Sequence, residues 1–340
     1  MQTVTKVAVL GGGSFGTVIA NMTAEKGIPT SLWVRRAELA NDINQQRCND
    51  RYVPNYPLAD SLVATDDIES ALKDAQVVFI AIPSSGFRAV LNQAKPYLSD
   101  DQLIVSTTKG IEAVSFSLMS QIMEQECPTH RSGVISGPNL AKEIAKRELT
   151  ATVIASNDEN LRETVQELLQ SSYFRVYASA DTFGVELGGT LKNIYAIASG
   201  MSAALGMGEN TKSMLITRSL AEMSRLAVSM GANPLTFLGL AGVGDLVVTC
   251  LSPLSRNYRV GYALGQGKSL DQAVAELGEV AEGVNTLKLV SEHAEQQDVY
   301  MPLVRGLYEV VFNQAPVKVV IGKMMEGAHS ADVEFTLSGS

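Results

Sequence analysis

Lys192 lies in Glu-Leu-Gly-Gly-Thr-Leu-Lys-Asn-Ile-Tyr-Ala-Ile-Ala-Ser-Gly, residues 186–200, a run of apolar and small residues with little surface character. A buried lysine is costly unless it is paired or loses its proton, and a second ammonium nearby, such as Lys109, would lower its pKa further. A lysine in that state can act as a general acid or base near neutral pH. The same periodicity also fits a lysine at a helix edge whose stem is covered and whose head reaches water. Asp245 follows Gly239, Gly242 and Gly244, which place it in a loop. A carboxylate there would hold Lys192 or a substrate hydroxyl. Ser255, Arg256 and Asn257 come next, with Arg259 beyond. A hydroxyl, a guanidinium and an amide in succession can cradle a phosphate. A polar loop with an incidental arginine is the plainer and commoner reading of such a tripeptide.

A second group of residues suits a dinucleotide. Gly11-Gly12-Gly13-Ser14-Phe15-Gly16 fits G-x-G-x-x-G, with its glycines at 11, 13 and 16. The pattern is weak alone, but here it follows the apolar run Val7-Ala8-Val9-Leu10 and opens a helical pattern. Gly11 permits the tight turn, Gly13 lets the backbone approach a pyrophosphate, and Gly16 lets the helix pack close on the strand. The helix N-terminus then faces the anion. A glycine turn that merely joins strand to helix is the bland alternative. The next strand runs into Arg35-Arg36, where an acidic residue would read the ribose 2′-hydroxyl of NAD. Two guanidinium groups suit a 2′-phosphate, although two solvated arginines would look the same. NADP(H) is therefore the favoured cofactor, with NAD(H) the second. The segments Ile82-Pro83-Ser84 and Ser106-Thr107-Thr108-Lys109-Gly110 follow two further strands, at the ends where open α/β sheets bind ligands.

These residues need elements to hold them. Strands are expected at Val7 to Leu10, Thr30 to Val34, Leu62 to Thr65, Val77 to Ile82, Leu103 to Ser106, Gly133 to Ser136, Ala151 to Ala155 and Phe174 to Tyr177. Helical patterns between them, the first from about Phe15 to Lys26, imply crossovers and a mostly parallel sheet covered on both faces. Past Asp181, which can cap a helix, apolar residues recur at helical spacing from Thr182 to about Leu205 and from Thr211 to Met230. Leu270 to Leu277 and Val284 to Gln296 look helical too. The expected fold is α/β: a Rossmann-type, mostly parallel sheet domain over residues 1–180, followed by an all-helical domain over 181–340. The first would bind the dinucleotide and the second the substrate. The tail from about Gly327 has few apolar residues and is expected to be loosely held.

Bulk properties narrow the class. With 46% hydrophobic and 19% charged residues, the chain reads as globular rather than disordered. A net charge of −9 provides no general field for nucleic acid or an anionic membrane, so any phosphate must be bound by local basic residues. Cys48, Cys127 and Cys250 are odd in number and lack a Cys-x-x-Cys pair, which suits reduced thiols. His130, His293 and His329 show no metal-ligand spacing, so no metal is expected. No signal peptide or apolar run long enough for a membrane span is evident, and a cytoplasmic location is expected.

With GGGSFGT at the first turn, STTKGIE around Lys109, ISGPNLAKE at 135–143, GTLKNIYAIASG around Lys192 and GLAGVGDL followed by SRN, the chain resembles the bacterial-type NAD(P)-dependent glycerol-3-phosphate dehydrogenases over nearly its full length. The Lys192 segment and the GVGDL…SRN pair are more specific than the glycine turn. The resemblance implies reversible reduction of dihydroxyacetone phosphate to glycerol 3-phosphate, with Lys192 giving the ketone its proton. It also implies that Lys109 and Asp245 contact the substrate, that Gly137 and Asn139 line its pocket, and that Ser255, Arg256 and Asn257 hold its phosphate. Ser14, Phe15, Arg35, Ala141, Arg256 and Glu282 would contact the dinucleotide, with Val280 nearby. A homodimer serving phospholipid synthesis is implied as well. The family often has Trp or Tyr in place of Phe15 and usually Ser or Thr in place of Asn139. A ketopantoate-type or hydroxyacid reductase would not need the Ser-Arg-Asn cluster, and a non-catalytic NAD(P)H sensor would not need Lys192, Lys109 and Asp245 together.

Overall fold

The structure, a computed structural model, describes residues 4–278 and 281–326. Val280 and the tail from Gly327 lie outside the described residues. The chain divides into two compact units, Met1–Glu186 and Leu187–Ser340.

The first unit is built on one sheet of eight strands: β1 (Val7–Leu10), β2 (Thr30–Trp33), β3 (Leu62–Thr65), β4 (Val77–Ile80), β5 (Leu103–Ser106), β6 (Arg131–Ser136), β7 (Thr150–Ala155) and β8 (Phe174–Ser179). Their order is β3-β2-β1-β4-β5-β6-β7-β8, with the switch in direction of travel at β1 and β4. Every neighbouring pair is parallel except β6 and β7, where Ser136 faces Val153 in an antiparallel register. All eight expected strands are present, with ends shifted by a few residues. The helices of this unit are α1 (Ser14–Ala24), α2 (Ala37–Gln46), α3 (Ile68–Leu72), α4 (Ser84–Ala94), α5 (Met119–Glu126), α6 (Ala141–Ala145) and α7 (Glu159–Leu169).

Strand β1 shows why the sheet is covered on both faces. All four of its residues are fully buried, yet only Val7 and Val9 join the large core cluster that contains Val18 and Ile19 of α1 and Val165 of α7. Successive side chains point to opposite faces, so Ala8 and Leu10 must be covered from the other side. Helix α7 buries Leu161, Val165, Leu168 and Leu169, a one-sided helical stripe. The Asp158 carboxylate caps its opening turn by accepting from Leu161 N at 2.7 Å.

The second unit is helical: α8 (Thr182–Ala204), α9 (Glu209–Ser229), α10 (Asp245–Leu251), α11 (Arg256–Gly265), α12 (Leu270–Leu277), α13 (Glu282–Gln296), α14 (Pro302–Val311) and α15 (Val317–Met325). Helix α8 starts in the first unit and continues into the second. Asp181 caps it as expected, with Oδ1 accepting from Gly184 N at 2.8 Å. A Cβ at Gly200 would collide with the Tyr258 carbonyl oxygen, and one at Gly261 with the Ile197 carbonyl oxygen. Helices α8 and α11 therefore touch backbone to backbone, a closeness that only glycine permits at those two positions.

Candidate active site

In the first unit the glycine turn sits at the carboxyl end of β1. Gly11 has φ +118°, and a Cβ there would strike the Ala81 carbonyl oxygen just past β4. Only glycine satisfies both constraints. A Cβ at Gly16 would strike the Gly11 carbonyl oxygen, so α1 starts directly against the turn. Around Gly13 a Cβ would meet nothing within 4 Å. Open space beside the N-terminus of an 11-residue helix fits a pyrophosphate, because the helix dipole and its first N–H groups favour an anion there. Ser14 opens α1 and donates from Oγ to Tyr52 O at 3.2 Å, while Phe15 packs against the core. Arg35 and Arg36 are exposed just past β2, and Arg36 precedes the first residue of α2.

The neighbouring strand ends are tied together. Thr108 Oγ1 donates to Ile82 O at 2.7 Å, joining the segment after β5 to the one after β4. Lys109 Nζ donates to Gly137 O at 2.9 Å, and Gly137 sits just past β6 with φ +141°. Asn139 Nδ2 donates to Thr152 Oγ1 at 2.8 Å, and Thr152 in turn donates to Ser136 O at 3.0 Å. The Asn139 amide thus takes part in bracing the β6–β7 junction. Ala141 is the first residue of α6.

In the second unit Lys192 is buried, with 6% of its surface exposed, and its ammonium is paired with the Asp245 carboxylate, which is wholly buried. Of the two readings open from sequence, the lysine at a helix edge is therefore set aside. The ammonium also donates to Thr249 Oγ1 at 2.7 Å, and that hydroxyl donates to Asp245 O at 2.6 Å. A buried ion pair persists where further hydrogen bonds satisfy its atoms, and Thr249 supplies one. The Cys250 thiol beside this cluster is pushed up to about 12, chiefly by burial, with Lys192 acting in the opposite sense.

One expectation about local structure needs correction, and one alternative falls away. Asp245 is the first residue of α10, not a loop residue. The preceding glycines wind Leu240–Gly244 into one wide turn closed by Gly244 N donating to Gly239 O, so the carboxylate stands on a helix. Ser255-Arg256-Asn257 is likewise a helix start: Ser255 Oγ accepts from Tyr258 N at 3.3 Å and caps α11, and Arg256 is exposed. Asn257 is buried, and its amide bridges three elements. Nδ2 donates to Asn193 Oδ1 at 2.9 Å, and Oδ1 accepts from Gly283 N at 2.9 Å, one residue past Glu282 at the start of α13.

Two family models match this chain, described as the N-terminus (residues 6–162) and the C-terminus (residues 181–322) of NAD-dependent glycerol-3-phosphate dehydrogenase. The chain belongs to this family. It is 59% identical over 97% of its length, and 96% of the relative's, to a glycerol-3-phosphate dehydrogenase [NAD(P)+] of Ectopseudomonas mendocina. It is 56% identical, with the same coverage, to the protein of that name from Alcanivorax borkumensis. A crystal structure of a glycerol-3-phosphate dehydrogenase from Coxiella burnetii superposes with a TM-score of 0.91 at 35% identity, covering 95% of this chain and 99% of that one. A ketopantoate reductase from Ralstonia eutropha, 15% identical with a TM-score of 0.59, shares the fold alone.

Sequence reasoning overlooked Thr249 and Asn193. Thr249 lies four residues after Asp245, one helical turn away on the same face, a spacing that becomes informative only once Asp245 is placed on a helix. Asn193 follows Lys192 directly and carries no periodic signal of its own.

Proposed function

We propose that this protein catalyses the reversible NAD(P)H-dependent reduction of dihydroxyacetone phosphate to sn-glycerol 3-phosphate. The observation that carries this reading is the buried Lys192–Asp245–Thr249 cluster, linked through Asn193 to the Ser255–Asn257 helix start. A bound nicotinamide dinucleotide supplies hydride to the carbonyl carbon. Negative charge then develops on the carbonyl oxygen, and Lys192 donates a proton to it from Nζ. Asp245 and Thr249 fix the direction of that ammonium. In the reverse reaction the neutral lysine takes the proton back from the hydroxyl.

Ser255, Arg256 and Asn257 hold the phosphate by the first turn of α11 and a charge-assisted guanidinium bond. Lys109, Gly137 and Asn139 line the substrate, while Ser14, Phe15, Arg35, Arg36, Ala141, Arg256 and Glu282 contact the dinucleotide. The dinucleotide is thus assigned chiefly to the sheet domain, residues 1–180, and the substrate chiefly to the helical domain, residues 181–340. Holding both reactants in place supplies much of the acceleration. The family resemblance supports a cytoplasmic homodimer that feeds glycerophospholipid synthesis. Among the described residues no helix is long and apolar enough to cross a membrane.

The test is oxidation of NADPH, then NADH, by purified protein with dihydroxyacetone phosphate, followed by absorbance. Rapid oxidation that disappears with unphosphorylated dihydroxyacetone is expected. No oxidation by protein that binds either cofactor would point to another substrate.

A further inference from the structure

We propose that Asn49, outside the glycine motif, is a positioning residue that sets the glycine turn for pyrophosphate. The inference rests on the dinucleotide site proposed above. Asn49 is almost wholly buried, with 2% of its surface exposed, in the chain returning from α2. Its Nδ2 donates to Gly12 O at 3.0 Å and to Thr17 Oγ1 at 2.8 Å. The segment around it forms a compact turn, with Tyr52 N and Val53 N donating to Asn49 O at 3.0 and 2.9 Å. A second stitch, from Ser14 Oγ to Tyr52 O, fastens this turn to the first residue of α1.

The bond to Gly12 O controls more than one atom. Gly12 C=O and Gly13 N–H belong to the same trans peptide and point in opposite directions. An amide that fixes the carbonyl on one side therefore fixes the Gly13 N–H on the other. A Cβ at Gly13 would meet nothing within 4 Å, and the Gly13 N–H is a donor of this turn that a pyrophosphate there could use. Glycine residues offer no conformational preference of their own that would hold this peptide plane, so the orientation must be imposed from outside the motif. A Cβ at Gly12 would collide with Val34, directly before Arg35, so Asn49 and the end of β2 flank the same peptide. The Asn49 Oδ1 is buried without a hydrogen-bond partner. A packing residue at this place would do better without that acceptor, which singles out the donor end as the reason for an amide.

The experiment compares Asn49→Ala with Thr17→Ala, which removes the other Asn49 contact and leaves the Gly12 bond in place. Affinities for NADPH and for adenosine 2′-monophosphate, which has no pyrophosphate, are measured by quenching of the single tryptophan, Trp33, at the end of β2. Melting temperatures are recorded in parallel. The expected result is NADPH binding weakened about tenfold in Asn49→Ala, with adenosine 2′-monophosphate and Thr17→Ala both within about twofold of the parent. The cofactor KM should rise with little change in kcat at saturation. NADPH affinity within twofold of the parent in Asn49→Ala would overturn the proposal. So would equal losses for the two ligands, or losses in both variants that follow their melting temperatures. If Asn49→Ala does not fold, the isosteric Asn49→Asp is read in the same way, and failure of both to fold marks a packing residue and overturns the proposal. A parent protein that binds no dinucleotide would instead defeat the underlying reading of the site.

Discussion

Replacing Thr249 with valine removes one hydroxyl and preserves the shape of a buried side chain. In the structure that hydroxyl accepts from the Lys192 ammonium at 2.7 Å and donates to the Asp245 carbonyl at 2.6 Å. The second bond is expendable, because the Asp245 carbonyl has backbone partners within α10. The first is a hydrogen bond to a charged group in a buried site, typically worth about 1.5–3 kcal/mol. If Thr249 orients the ammonium in the transition state, that energy appears in kcat as a loss of roughly tenfold to a hundredfold. The assay is steady-state reduction of dihydroxyacetone phosphate at saturating NADPH, together with NADPH affinity and a urea denaturation curve. Affinity for NADPH should stay within about twofold of the parent. A double-mutant cycle with Asp245→Asn should show coupling of about 0.5–3 kcal/mol, since both residues hold one ammonium. A Thr249→Val protein with unchanged kcat would refute the positioning role, and additive effects in the cycle would refute a shared one.

Three further outcomes are expected. Replacing Arg35 and Arg36 together with alanine should weaken NADPH at least about tenfold more than NADH, since a 2′-phosphate would lose charge-assisted bonds; equal losses would contradict that assignment. Burial raises the wholly buried Glu186 carboxyl from 4.5 to about 7, despite its bonds to Ser120 N. Its folded-state pKa lies above the unfolded one, so its stabilising share is complete below about 4.5 and is lost as pH rises through about 7. Melting temperatures should therefore fall between about pH 4.5 and 7 in the parent relative to Glu186→Gln and level off above, and parallel curves would dismiss the effect. Gly261→Ala should lower stability by about 3 kcal/mol, the upper end of ordinary overpacking, because its Cβ meets the Ile197 carbonyl; an unshifted denaturation midpoint would disprove the close contact.

The strands of the sheet were readable because β-branched runs such as Val77–Ile80 and Leu103–Ser106 stand between helical patterns and turn residues. The antiparallel direction of β7 was not, since a strand's own residues do not encode which way its neighbour runs. That direction follows from the connection, where the five-residue α6 replaces a full crossover helix. In the second unit the lysine was conspicuous from its apolar setting, and Asp245 from its glycines. The same glycines misled as to conformation, because they suggest a loop and yet here close a wide turn ahead of a helix. Thr249, Asn193 and Asn49 were silent for a common reason. Each acts through a hydrogen bond to a residue far away in sequence or placed by helical geometry, and a polar residue among apolar neighbours does not announce its partner.

The glycines between α8 and α11 bear on which ligands can be accepted. Where helices meet through side chains, their separation can relax when a larger ligand presses on them. Here Gly200 and Gly261 bring main chain against main chain, and peptide groups have no rotamers to yield. Lys192 on α8 and Ser255 at the head of α11 are thus mounted on a rigid gauge. Under the binding mode proposed above, a substrate would be selected by whether its carbonyl and its phosphate match that fixed interval.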